Sequence, residues 1–272
     1  MRAASGQERK CDMNLVVIIP TVRVDKWLGE AVSSVLNQIG IEPHVVVVHD
    51  GVAPDYSVWW MSDPRVTAVH SVERIGLPGV LVKAIAETTE PYIARLDADD
   101  IAAPGRLAEQ LSYLELHPET VLVGTQGFRI NEFGQVTGEI STVVGPDIRS
   151  ALLERNRLIH PSVVFRRDSY LLAGGFDTRL RVMEDYELWM RMATVGPVAV
   201  LASRSIFYRV HPGQMSRGAK PYGLHIDKTL SSHRLLARAL NVNFICASVQ
   251  ELKWSAAQYL RYWNLRKRSF DR

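Results

Sequence analysis

Asp97, Asp99 and Asp100 stand together in the run Asp97-Ala98-Asp99-Asp100, directly after the apolar stretch Tyr92–Leu96. Carboxylates this close repel one another. A hard divalent cation, Mn²⁺ or Mg²⁺, relieves that repulsion, because it takes oxygen ligands and shares them with substrate phosphates. Residues two apart on an extended chain point the same way, so Asp97 and Asp99 are expected to face one pocket. The competing reading is a solvated acidic turn leading into a helix, which Asp100 would serve in part. The place of the tetrad at the end of a parallel strand favours the cation.

Other candidates for chemistry are scattered. Asp50 ends an apolar run in His49-Asp50-Gly51, where it is either a turn residue or an acceptor for a nucleobase or ribose. Glu184-Asp185 opens a helical pattern that continues through Leu188, Trp189, Met192 and Ala193. Acids favour a helix N-terminus, so spacing alone does not separate that role from a general base acting on a hydroxyl. His160 and His211 each precede a proline beside an expected strand. Each is either a structural histidine or part of a metal or phosphate site. No Ser-His-Asp spacing stands out for nucleophilic catalysis.

These side chains need a frame to bring them together. Leu15–Pro20, His44–Asp50, Val66–His70 and Tyr92–Leu96 read as strands. Between them Asp25–Ile39 and Gly76–Thr88 carry apolar residues at helical spacing. Pro104 is expected at the first position of a helix running to about His117. Alternating strands and helices imply a parallel sheet covered on both faces, and the unbroken Val/Ile runs agree. Ligands in such sheets bind at the carboxyl ends of the strands, which carry Thr21, Asp50 and Asp97–Asp100 to one rim. Further on, Val121–Ile130, Ser162–Arg166, Val198–Ala202 and Ile206–His211 read as strands. Pro146–Arg155, Asp168–Ala173 and Glu184–Val195 read as helices. The expected organisation is a loose arm over 1–14, an α/β domain over 15–217 and a helical C-terminal appendage over 218–272.

Composition narrows the class. The 272 residues are 47% hydrophobic and 22% charged, ordinary for a globular chain. The net charge of +3 gives no reason to expect nucleic acid as a partner. With only Cys11 and Cys246, no disulfide framework is implied. No apolar run is long enough to span a bilayer, and no signal peptide is read at the start. The expected address is cytoplasmic. The tail, residues 253–272, holds six basic residues against Asp271, with aromatic and leucine side chains interleaved. Either its aromatics pack on the domain and leave a solvated basic face, or it meets the inner membrane face as a peripheral helix. The first is preferred, because the aromatics do not form one clean stripe.

Read in order, five segments resemble family 2 glycosyltransferases of the GT-A fold. They are Val16–Gln38, Val45–Gly51, Gly76–Pro118 with its IARLDADDIAAPGRL, His160–Leu188, and Tyr208–Ser216. The resemblance implies a Rossmann-like, mostly parallel sheet with helices on both faces. It implies a nucleotide-diphosphate sugar donor and a saccharide or lipid-linked acceptor, in cell-surface polysaccharide or glycolipid synthesis. Thr21, Asp50, Arg74, Asp97 and His160 would contact the donor. Asp99, with Asp97 and His211, would hold the metal. Asp185 would be the base, with Glu184 beside it. His49 stands where the family usually has Asp, Val22-Arg23 where it often has an aromatic and Asn, and Val82 where many relatives have Asn. A nucleotidyltransferase and a catalytically silent nucleotide-sugar-binding module are the rival readings.

Overall fold

The computed structural model describes residues 14–214, 220 and 222–270, with side chains described as far as 263. The arm, except for Asn14, and the expected boundary at Gly218 lie outside the described residues. The described elements open with β1 (Leu15–Thr21), α1 (Lys26–Leu36), β2 (His44–Asp50), β3 (Val66–Ser71), α2 (Leu77–Ala86) and β4 (Tyr92–Arg95). A two-residue strand β5 (Ile101–Ala102) precedes α3 (Arg106–Leu116). Then come β6 (Leu122–Ile130), β7 (Val136–Ile140), α4 (Arg149–Leu152), β8 (Val164–Arg166), α5 (Arg167–Leu172), α6 (Glu184–Met192) and β9 (Val198–Arg209). Two helices follow, α7 (Leu224–Ala239) and α8 (Phe244–Phe270).

The nine strands among the described residues form one sheet in the order β3-β2-β1-β4-β8-β6-β9-β5, with β7 on β6. The pairs β1–β2, β2–β3 and β1–β4 are parallel, with α1 crossing from β1 to β2 and α2 from β3 to β4. β8 then runs antiparallel between β4 and β6, while β6 and β9 are parallel.

The Val/Ile runs are explained by the two cores they feed. Val16, Ile18, Val46 and Val48 pack with Val80, Leu81 and Ile85 of α2 and with Leu188, Trp189 and Met190 of α6. Leu15, Val17, Ile19, Val45 and Val47 pack on the other face with Leu28, Val32 and Val35 of α1 and with Leu107 and Leu114 of α3. Along β1 and β2 successive residues alternate between these two dry faces, which favours an unbroken apolar run. Among the described residues no helix is long and apolar enough to cross a membrane.

Local chemistry sets the helix starts. Asp25 accepts from the amides of Trp27 and Leu28 at 3.0 and 3.1 Å, capping α1. α3 starts two residues later than its sequence suggests. Gly105, at φ +80°, is the cap, so Pro104 lies outside the helix. The Gln38 side chain holds this turn by accepting from Leu107 N and donating to Ala103 O. Two strands expected around 198–211 are one, β9, whose register against β6 shifts at Thr125–Gly127. Such bulges bend a strand without ending it. The expected helix over 146–155 is one turn, α4.

The C-terminal helices join the main core rather than hanging free. Ile226, Leu236, Ala237, Ala247 and Trp254 are buried with residues of α6. The expectation that the tail aromatics pack on the domain holds for Trp254 but not for Tyr259 or Trp263, which are exposed.

Candidate active site

β4 ends with Arg95, and the chain then turns tightly, with the amide of Asp100 donating to Asp97 O at 3.2 Å. This turn, rather than the extended alternation expected, gathers the acids. Oxygens of Asp97, Asp99 and Asp100 lie within 4.8 Å of one another. Burial raises the pKa of Asp97, opposed by Arg95 and reinforced by Asp99 and Asp185. Burial pushes Asp100 up further, with Asp97 and Asp99 adding to it. Three hard oxygen donors in this crowding suit a divalent cation. Asp100 Oδ2 supports that fit, being buried with no protein partner.

Arg95, Arg209 and His211 hold the three acids. Arg95, only 3% exposed, forms an ion pair with Asp97. Arg209 braces the other two. Its backbone amide donates to Asp100 Oδ1 at 2.7 Å, and its Nε donates to Asp99 O at 2.7 Å. Its guanidinium also donates to Asn131 O and to Glu30 at 2.6 Å. His211 Nε2 lies 2.8 Å from Asp99 Oδ2, and its Nδ1 accepts from Gly213 N at 3.2 Å. An accepting Nδ1 leaves the proton on Nε2, so His211 donates to Asp99. His211, expected as a metal ligand, is here hydrogen-bonded to Asp99.

Facing this cluster is the start of α6. Met183, the residue before it, adopts a left-handed conformation at φ 60°. That conformation is rare for a side-chain-bearing residue and marks a turn the surroundings enforce. It delivers Glu184 and Asp185 as the first helical residues. Burial raises Asp185, against hydrogen bonds from Tyr186 N and from Asn156, whose Nδ2 donates to Asp185 Oδ2 at 3.0 Å. Burial, then the charge of Asp185, lifts Glu184 to about 7. Arg95 opposes the upward push at Asp97, Asp100, Glu184 and Asp185. One buried guanidinium thus faces acids from two distant parts of the chain.

The remaining expected residues form a second group. Asp50 accepts from the amides of Ile75 and Gly76 at 2.7 and 3.0 Å, securing the loop before α2. Gly51, at φ +69°, lets that loop approach, since an added Cβ would sit 3.3 Å from the Arg74 backbone. Arg74 itself is exposed. Thr21 closes a small turn with Arg23, and β1 aligns Thr21 beside His49. His49 is fully buried with neither ring nitrogen partnered, and burial, then His70, lowers it to about 4. The two groups are linked through Trp27. Arg23 and Arg209 both stack on its ring, at 5.2 and 5.3 Å, and His211 packs against it at 4.7 Å. His160 packs against Trp189 and Phe176, and burial, then Arg95, drives its pKa well down.

Sequence reading missed Arg95, Arg209 and Asn156. Arg95 left a signal: a charge inside a strand buried on both faces must have a partner. Arg209 and Asn156 left none, because their partners lie far away in sequence.

The family described as Glycosyl transferase family 2 matches residues 16–170. The amylovoran biosynthesis glycosyltransferase AmsE of Erwinia amylovora is 32% identical over 223 residues, spanning 80% of this chain and 83% of its own. The O-antigen biosynthesis glycosyltransferase WbnJ of Escherichia coli is 28% identical, over 76% and 83% of the two chains. In fold, the chain is similar to S. aureus TarS 1-349 in complex with UDP-GlcNAc. That likeness has a TM-score of 0.65 at 15% identity and covers 88% of this chain and 71% of the other. The nucleotidyltransferase reading gives way to these matches, as does the silent module. An acidic rim on a GT-A-like sheet and a family match over most of β1 to α5 converge: this chain belongs to glycosyltransferase family 2.

Proposed function

We propose that this glycosyltransferase moves a sugar from a nucleoside-diphosphate donor to an acceptor hydroxyl, with a divalent cation and with inversion at the anomeric carbon. The acceptor is a saccharide or a lipid-linked saccharide of a cell-surface polysaccharide or glycolipid. The names of AmsE and WbnJ support the pathway class, and the UDP-GlcNAc in TarS supports the donor class. One observation carries the mechanism: Asp97, Asp99 and Asp100 meet Glu184 and Asp185 around buried Arg95.

Asp97, Asp99 and Asp100 would hold Mn²⁺ or Mg²⁺, which neutralises charge on the departing diphosphate. Arg95 opposes the protonation that burial favours at Asp97. His211 and Arg209 orient Asp99 and Asp100. Asp185, steadied by Asn156, accepts the proton of the acceptor hydroxyl. That oxygen bonds to the anomeric carbon as the bond to the diphosphate oxygen breaks on the opposite side. Glu184 sits beside the base and stays largely protonated below pH 7. The nucleoside end lies near Thr21, Asp50 and the Arg74 loop, and His160 lines the donor side behind Arg95.

The test is product analysis. The chain is incubated with a panel of nucleotide sugars, UDP-GlcNAc first, with Mn²⁺ or with chelator. Proton NMR of the product reads the anomeric configuration. Transfer that persists in chelator, or retained configuration, would refute the proposal.

A further inference from the structure

α8 has two faces with different fates. Ala247 and Trp254, seven residues apart, are its buried side chains among those described, and the Trp254 ring lies 6.2 Å from that of Tyr186. Opposite them Ile245, Val249, Leu252, Tyr259, Leu260 and Trp263 are exposed. Leu252 is 70% exposed, Leu260 65% and Trp263 58%. At about 100° per residue these six fall within a sector of roughly 100°, centred away from Trp254. A water-facing apolar stripe of this length marks a surface that meets a partner.

Charge selects the partner. Lys253 and Arg261 are exposed on the same helix, and the sequence continues with Arg266, Lys267, Arg268 and Arg272. The sole acid from 253 onward is Asp271. Glu251, just before, is engaged by Arg234 of α7 at 2.9 Å. A second copy of this chain would bring the same positive charge to the contact. An anionic surface complements it, and Tyr259 and Trp263 suit the depth of lipid headgroups.

We propose that the outward face of α8 docks in the plane of an anionic lipid surface. The helix lies on the membrane rather than across it, since the apolar stripe covers only one side. Basic side chains supply attraction and the stripe supplies insertion, the two signals that stable peripheral binding needs. Through Trp254 and Tyr186, α8 would then separate the lipid from the helix that carries Glu184 and Asp185.

The test is co-sedimentation of the intact chain with vesicles of phosphatidylcholine alone or mixed equally with phosphatidylglycerol. Binding is expected only to the mixed vesicles, weakening as NaCl rises. The double variant Leu252→Glu/Trp263→Glu is expected to lower partitioning about tenfold or more, since apolar insertion supplies much of the binding. Its circular dichroism and melting midpoint should match the parent, because both side chains point to solvent. Lys253→Glu/Arg261→Glu should weaken binding to the mixed vesicles. Equal binding to both vesicles, or parent-like binding by the stripe variant, overturns the proposal. So does a vesicle-free dimer by light scattering that Leu252→Glu dissociates, since a second copy would then own the stripe. None of these readouts depends on sugar transfer, so they stand apart from the reaction proposed above.

Discussion

The backbone amide of Arg209 donates to the carboxylate of Asp100 at 2.7 Å, joining residues 109 apart in sequence. The same residue turns its guanidinium back onto Asp99 O and Glu30. The last residue of β9 thus clamps the acidic turn from backbone and side chain at once.

Arg209→Met removes the side-chain half of that clamp. Asp99 O and Asn131 O lose a donor in a buried site, each at a cost of about 1–3 kcal/mol, while Glu30 is half-exposed and loses little. Urea unfolding should show a loss of about 3 kcal/mol, with weaker Mn²⁺-dependent donor binding. Parent-like stability would mean the clamp is not needed.

Asp99 and His211 should separate in calorimetry. Asp99→Ala should erase the difference in nucleotide-sugar affinity with and without Mn²⁺. His211→Ala should weaken the metal response by about tenfold, the scale for a residue that orients a ligand. Complete loss in both variants would make His211 a ligand itself.

Asp185→Asn keeps the shape of the side chain but replaces one acceptor oxygen by an NH2 group and cannot take the acceptor's proton. Turnover should fall about 10³-fold, with donor affinity within about twofold of the parent. Normal turnover would end its assignment as base.

Glu184 links stability to pH. Its folded pKa, about 7, lies above the unfolded value of 4.5, chiefly through burial. The folded state therefore binds more protons between pH 4.5 and 7, and stability falls as pH rises through that window. Glu184→Gln should match the parent near pH 4 and exceed it at pH 8 by about 3 kcal/mol, because each tenfold change in proton affinity between the folded and unfolded chain is worth about 1.4 kcal/mol. Urea titrations in chelator at both pH values measure this. An equal difference at both would show that Glu184 is not held protonated.

Gly51→Ala tests the nucleoside side. The new Cβ meets the Arg74 backbone in a left-handed conformation, so a loss of about 1–2 kcal/mol is expected. KM for the donor should rise more than kcat falls, because the loop secured by Asp50 would shift. Unchanged melting and KM would free the loop from that role.

Much of this frame was legible because burial on both sheet faces leaves an unbroken apolar run, as in Val45–Val48. The acidic tetrad was legible because it follows such a run. β5 has two residues and β7 is largely exposed, so neither carried a pattern. Ser203 and Arg204 read as a break in what is one strand, because a bulge tolerates polar residues that a straight strand would expose to the core. Thr21 and Asp50 were legible as rim residues, yet their hydrogen bonds to Arg23, Ile75 and Gly76 depend on loops with no periodicity. Arg95, Arg209 and Asn156 act across the fold, and no local spacing encodes a partner so far away.

The clamp also orders events as the chain is made. Asp97, Asp99 and Asp100 emerge from synthesis well before Glu184, Asp185, Arg209 and His211. Until β9 pairs with β6 and β5, their repulsion is relieved by little more than Arg95. In a nascent chain ending short of Arg209 and His211 the acidic turn lacks both partners. The pocket is completed late, when β9 docks on β6 and β5.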